Sequence, residues 1–131
     1  MRRTGKSVLT AASAVVLVLA GTGAPAQAAE PSALFLSVSG SDDTWSRAIF
    51  LSCPAGEEGH YHPAGDQACA DLLDADGDFD HLRGTPHFCT CERDPVVATA
   101  QGLFADALVS WTRTYRNSCA LDAATGAVFR F

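Results

Sequence analysis

The stretch PSALFLSVSGSDDTWSRAIFLSC, residues 31–53, decides the fold. Leu34, Leu36 and Val38 alternate with Phe35, Ser37 and Ser39, which is the two-residue period of a strand. Gly40-Ser41-Asp42-Asp43 reads as a turn. Trp45 to Cys53 alternates again, with Trp45, Arg47, Ile49, Leu51 and Cys53 on one face and Ala48 and Phe50 on the other. Two such runs around a polar turn describe antiparallel strands with an apolar face to cover.

Downstream, Pro54 to Gly65 is a Gly- and Pro-rich loop. Asp66 is placed to cap a short helix through Gln67, Ala68, Cys69, Ala70, Asp71, Leu72 and Leu73, whose i, i+4 pairs give it an apolar face. Asp74 to Pro86 is polar and irregular. A third strand begins over Pro95 to Ala100, Gln101-Gly102 reads as a hairpin turn, and Leu103 to Tyr115 reads as a long fourth strand. That reading puts Leu103, Ala105, Ala107, Val109 and Trp111 on one face, with Phe104 and Leu108 opposite. Trp45 and Trp111 are expected in the core. Asn117 starts a second short helix through Cys119 and Leu121, Gly126 ends it, and Ala127 to Phe131 forms a last strand. The expectation is an α+β layer fold, a five-stranded antiparallel sheet with two short helices on one face.

Upstream, Arg2, Arg3 and Lys6 precede an apolar run from Val8 to Ala20, and Ala26-Gln27-Ala28 is a small-residue cleavage site. The run is shorter than the ~20 residues that span a bilayer. Residues 1–28 therefore read as a signal peptide and 29–131 as one secreted domain, with no membrane association after cleavage. Cleavage leaves six basic residues against 15 acidic ones, a formal charge of −9. Such a surface repels phosphate backbones and excludes nucleic-acid binding as the function.

All five cysteines lie in the mature part, as in an exported disulfide-stapled domain. Two disulfides leave one thiol, and five choices of that thiol with three connectivities each leave fifteen patterns open. Within Cys89-Thr90-Cys91-Glu92-Arg93-Asp94-Pro95, Cys91 is the candidate for the leftover thiol, on a loop displayed to a partner.

Other constellations carry less. Asp74, Asp76, Asp78 and Asp80 alternate like a calcium loop, but an EF-hand needs glycine at its sixth position and glutamate at its twelfth. Phe79 and Thr85 stand there, so a solvated acidic loop with at most weak Ca²⁺ affinity is expected. His60 and His62 lack further ligands at zinc-finger spacing and read as exposed loop histidines; no metal or cofactor is expected. Cys89 and Cys91 are one residue closer than a redox Cys-x-x-Cys pair. His81 or His87 with Asp94 and Cys91 would be the only hydrolase constellation.

The order of Pro31-Ser32-Ala33-Leu34, Arg47-Ala48, Leu51-Ser52-Cys53, Ala68-Cys69-Ala70-Asp71-Leu72, Arg83-Gly84, Cys89-x-Cys91-Glu92-x-Asp94-Pro95-Val96, Asn117-Ser118-Cys119 and Val128-Phe129-Arg130-Phe131 resembles the Streptomyces subtilisin inhibitor family. The resemblance covers essentially the whole mature domain. It implies disulfides Cys53–Cys69 and Cys89–Cys119, a homodimer made by packing sheets face to face, and substrate-like inhibition of subtilisin-like serine proteases. It further implies a reactive bond Cys91–Glu92, with Cys91 as P1, Thr90 as P2, Cys89 as P3, Phe88 as P4, Glu92 as P1′ and Arg93 as P2′. Asp94 and Pro95 would complete the contact loop. Cys91 stands where the family commonly has Met or Lys, and lacks the cation a trypsin-like pocket pairs with. The rival expectation is a non-inhibitory redox or interaction module that uses the Cys91 thiol on the same scaffold.

Overall fold

The computed structural model describes residues 21, 23–25, 31–55 and 62–131. The export segment over residues 1–20 and 26–28, and His60, lie outside them. Strands β1 (Ser32–Gly40), β2 (Ser46–Cys53), β3 (Val96–Phe104) and β4 (Ala107–Tyr115) form one antiparallel sheet in the order β2-β1-β3-β4. Leu34 stands opposite Leu51 and Gly102, Leu36 opposite Ile49 and Ala100, and Val38 opposite Arg47 and Ala98. The alternation in the opening stretch thus lines one face with apolar side chains.

Helices α1 (Gly65–Asp74) and α2 (Ser118–Thr125) and the 3-10 turn Gly126–Phe129 cover that face. Ala68 and Leu72 of α1, Leu121 of α2, and Val128 and Phe129 are buried against Leu34, Leu36, Val38, Ala98 and Ala100. Phe79, Trp111 and Phe129 stack at centroid distances of 5.3 and 5.7 Å and close the core on the β4 side. Cys53–Cys69 ties β2 to α1, and Cys89–Cys119 ties the loop before β3 to α2. Closing loops with separations of 16 and 30 residues is worth about 3 and 3.5 kcal/mol in the chain-entropy picture.

Among the described residues the sheet has four strands, not the expected five. Ala127 and Phe129 alternate with Val128 as a strand would, yet Gly126 to Phe129 are all buried and wind into a 3-10 turn between the helices and the sheet. The β3–β4 turn is also displaced from the expected Gln101-Gly102. It lies at Ala105-Asp106, whose φ values of 47° and 65° match the left-handed pair of a two-residue hairpin. Gly102, at φ 136°, instead sits inside β3, where a Cβ would lie 2.2 Å from the Ala33 carbonyl oxygen. The shift reassigns faces: Phe104 is in the core, while Leu103 and Leu108 lie opposite each other on the uncovered face.

Two smaller expectations also change. Helix α1 begins at Gly65 with Ala64 at its cap position and no side-chain cap, so Asp66 sits within the first turn, where its charge complements the helix dipole. Trp45 is not core: it is over a third exposed and lies on Gly40, where a Cβ would come within 2.4 Å of its Nε1.

His62 is buried rather than exposed. Ala64 N–H donates to its Nδ1 at 3.1 Å, which leaves Nε2–H to donate to the Val128 carbonyl at 2.9 Å. Burial lowers its pKa, partly offset by the bond to Val128. The folded protein therefore keeps His62 neutral at a pH where the unfolded chain protonates near its usual 6.5. Stability should fall as pH drops through 6.5 toward the lowered folded value, then level off. Thermal unfolding at about pH 7.5 and about pH 5.5 checks this: the drop in Tm should shrink in His62→Gln.

Candidate functional site

From Leu82 to Pro95 the chain forms neither helix nor strand, yet it is fastened along its length. At its start, the 3-10 turn Phe79–His81 is held by Asp80, whose carboxylate accepts from Trp111 Nε1 at 3.0 Å and Arg113 at 3.4 Å. The N–H of Asp80 in turn donates to Asp78, and this bond, reinforced by His81, lowers the Asp78 pKa. Gly84 passes so close to α2 that a Cβ there would lie 1.9 Å from the Ala123 carbonyl oxygen. Only glycine permits that approach.

Beyond Gly84 the loop turns outward. Phe88 is 93 % exposed, and Thr90, Cys91, Glu92, Arg93 and Asp94 are exposed with it. Cys89 and Pro95 are half-buried. Cys89 is the anchor, through its disulfide to Cys119 in the first turn of α2. On the far side, Asp94 N–H donates to the Arg116 carbonyl at 3.0 Å.

Asn117 sits between these two anchors, beneath Cys91, and is buried. Its Oδ1 accepts from Ala120 N–H at 2.8 Å and caps α2. Its Nδ2 donates to the carbonyls of Thr90 at 3.3 Å and Glu92 at 2.8 Å, one on each side of Cys91. One side chain thus caps the helix and props the loop. The sequence marked Asn117 as a helix start; its second set of bonds was not legible there. The available signal was its place two residues before the cysteine that the resemblance pairs with Cys89.

Cys91 is the free cysteine, and it is exposed. The hydrolase constellation is not assembled around it. His81 Nδ1 is paired with Asp78 at 2.7 Å, and His87 Nε2 lies 3.3 Å from Cys119 Sγ. His87, Cys89 and Cys119 bring ligand atoms within 4.8 Å of one another, but both sulfurs are consumed by the disulfide. Asp74, Asp76, Asp78 and Asp80 are exposed, with Asp76 and Gly77 in left-handed turn conformations. What the site offers is an exposed segment with its backbone held from behind.

A subtilisin inhibitor-like family model matches residues 30–117. Subtilisin inhibitor-like protein 4 of Streptomyces lavendulae is 41 % identical over 113 residues, covering 82 % of this chain and 97 % of that one. The chain belongs to the subtilisin inhibitor-like family. A subtilisin inhibitor of Streptomyces violaceus is 38 % identical over 140 residues, with 96 % of this chain and 95 % of that one covered. Among solved structures, Streptomyces caespitosus sermetstatin in complex with Bacillus licheniformis subtilisin matches with a TM-score of 0.61 and 34 % identity, over 77 % of this chain and 99 % of that one. In the subtilisin inhibitor-like fold of this chain, the fastened loop is exposed and carries tertiary restraints.

Asn117→Ala should lower stability by about 1–3 kcal/mol, through loss of the cap and of two loop bonds. Asn117→Asp keeps a cap acceptor but has no donors for Thr90 and Glu92. Urea unfolding should therefore show partial recovery in Asn117→Asp, while amide exchange at residues 90–94 stays fast in both variants.

Proposed function

We propose that the protein is an exported inhibitor of subtilisin-like serine endopeptidases that presents the Cys91–Glu92 bond as a substrate it does not release. One observation carries this reading: the exposed segment is tied from behind on both sides of that bond. Cys89–Cys119 and the Asn117–Thr90 bond hold one side; the Asn117–Glu92 and Asp94–Arg116 bonds hold the other. Family membership supports the same reading, as does the likeness to sermetstatin, which was crystallised with a subtilisin.

The chemistry follows from the restraint. A loop ordered before docking loses little conformational entropy on binding, so contact energy appears as affinity. If the protease cuts the bond, the new carboxyl end stays held near Thr90 and the new amino end stays held at Glu92. The two ends remain adjacent, and resealing competes with release. Cys91 would enter the S1 pocket as P1, with Thr90, Cys89 and Phe88 as P2, P3 and P4. Glu92 and Arg93 would follow as P1′ and P2′, with Asp94 and Pro95 bracing the exit. The protein itself acts as a ligand and not as an enzyme. A small, uncharged P1 side chain suits a broad apolar S1 pocket and offers no cation to an acidic one.

Purified protein should slow subtilisin at about micromolar concentration or below; an uninhibited enzyme would end this reading. Cys91→Lys should shift inhibition toward trypsin without altering the melting temperature, because Cys91 is exposed. Steady-state inhibition of both enzymes by both proteins measures the shift, and its absence would remove Cys91 from P1.

Export and removal of residues 1–28 are part of the proposal, supported by the basic, apolar and small-residue segments at the start of the chain. Among the described residues no helix is long and apolar enough to cross a membrane. Homodimerisation is a further part, supported by the face of the sheet that no helix among the described residues covers. Phe35 and Phe50 touch there at a centroid distance of 5.0 Å, and Leu103 and Leu108 are exposed beside them. Sedimentation should give twice the mature chain mass for the wild type and the single mass for Leu108→Asp.

A further inference from the structure

We propose that Gly84 is a positioning residue for the exposed loop: it pins the loop's entry to the last turn of α2, and that pin forces Phe88 outward. The pin is a backbone contact. A Cβ on Gly84 would lie 1.9 Å from the Ala123 carbonyl oxygen and 2.6 Å from the Ala124 carbonyl carbon. The contact is closed from the other side by Gly126, which follows α2 at φ 59°. A Cβ there would lie 3.6 Å from Gly84 Cα, 3.7 Å from the Arg83 carbonyl oxygen and 3.2 Å from Asp71 Oδ2. Asp71 Oδ2 in turn accepts from Ala127 N–H at 3.2 Å. Two glycines thus let the loop entry, the end of α2 and the Asp71 side chain of α1 meet at one point.

The second pin is the Cys89–Cys119 disulfide, with a Cα–Cα distance of 5.7 Å. Cys119 and Ala123 are i and i+4 on α2, so the two pins stand about 6 Å apart along the helix, at about 1.5 Å per residue. Gly84-Thr85-Pro86-His87-Phe88-Cys89 makes five peptide steps between them and would reach about 17 Å if extended, at about 3.4 Å per step. The chain is far longer than the span it crosses. The excess cannot go inward, where Leu121 and Thr125 are buried, so it leaves the helix as an arch. Residues 85–88 are all exposed, Phe88 most of all at 93 %. The His87 ring turns back under the arch. Its Nδ1–H donates to the Thr85 carbonyl at 2.9 Å, and its Nε2 lies 3.3 Å from Cys119 Sγ. Pro86, with its fixed φ, narrows the shapes the arch can take.

Phe88 is no part of the core cluster, and its worth lies in what it meets on docking. A ring already in place gives its contact area to affinity, whereas a ring on a loose arch must first be ordered. Gly84 acts through Phe88 and not by a contact of its own. It sets how much of the Phe88 contact is realised, and with it the preference for a protease whose S4 pocket accepts an aromatic ring. This consequence rests on the reading of Phe88 as P4; the pin itself does not.

Two variants test this. Gly84→Ala breaks the pin. A glycine inserted between Thr85 and Pro86 leaves both pins intact and lengthens the arch, a change that exposed loops tolerate. Amide order parameters at His87 and Phe88 should be about 0.85 in the wild type and below about 0.6 in both variants, with those of Thr90 to Asp94 unchanged. Unchanged order at His87 and Phe88 in the insertion variant overturns the proposal, whether or not Gly84→Ala folds. Inhibition of subtilisin is then measured for the wild type and both variants, each with and without Phe88→Ala. Phe88→Ala should weaken wild-type inhibition at least about tenfold and weaken the loosened proteins less than about twofold. A structural role alone would lower the melting temperature of Gly84→Ala and leave the Phe88 loss at full size, which overturns the proposal. Phe88→Ala that costs a working inhibitor nothing overturns the role of Gly84 in inhibition. A wild type that does not inhibit subtilisin refutes the reactive-site reading instead, and the order parameters alone then decide whether Gly84 places Phe88.

Discussion

The amide of Asn117 makes three hydrogen bonds, and the loop's shape depends on all of them. Its oxygen accepts from Ala120 and fixes where α2 starts, which in turn fixes where Cys119 points. Its nitrogen donates on both sides of Cys91. Neither half would suffice alone. A disulfide fixes one point on a chain and leaves rotation about it, whereas two carbonyls held by one planar amide also fix direction. Because Asn117 is buried, its donors cannot turn to water instead, and breaking these bonds leaves the full desolvation cost unrelieved.

That joint is only as firm as the layer below it. Helix α2 rests on the sheet through Leu121, and the Gly126–Phe129 turn that follows it is buried between α1 and the strands. Asp71 of α1 accepts from Ala127 N–H at 3.2 Å, and His62 holds the Val128 carbonyl. The elements that carry the loop are thus pinned by polar contacts on one side and by the aromatic stack of Phe79, Trp111 and Phe129 on the other. Among the described residues the other sheet face has no such cover. The outward side chains of the same strands leave Phe35, Phe50, Leu103 and Leu108 in solvent, and this apolar face is available to a second copy.

The strands around residues 31–53 were legible because alternation acts locally: one buried face imposes a period of two on the side chains. Asn117 and Gly126 were legible as helix ends for the same local reason. The failures were tertiary. Gly102 reads as a turn residue, but it is a glycine because the Ala33 carbonyl passes where a side chain would go. Ala105-Asp106 contains no glycine or asparagine and gives little turn signal, yet its backbone makes the hairpin. The last segment alternates as a strand does, but burial on all sides removed any edge for it to pair with. In the loop, the exposed residues were legible from Cys89, Cys91 and Pro95. The supports were not, because Asn117 and Gly84 act on partners about thirty residues away in sequence.

If Cys91 is P1, as proposed, the loop has to display one side chain while its backbone is held from behind. Tight inhibition needs the P1 backbone held near the disulfide that supports it, because a distant support leaves the loop loose. Here the Cys89–Cys119 disulfide lies two residues before Cys91, and the thiol itself stays exposed. The two Asn117 bonds hold the carbonyls on either side inward and leave the Cys91 side chain exposed. The same two hydrogen bonds therefore set how firmly the backbone is held and which side chain the loop presents.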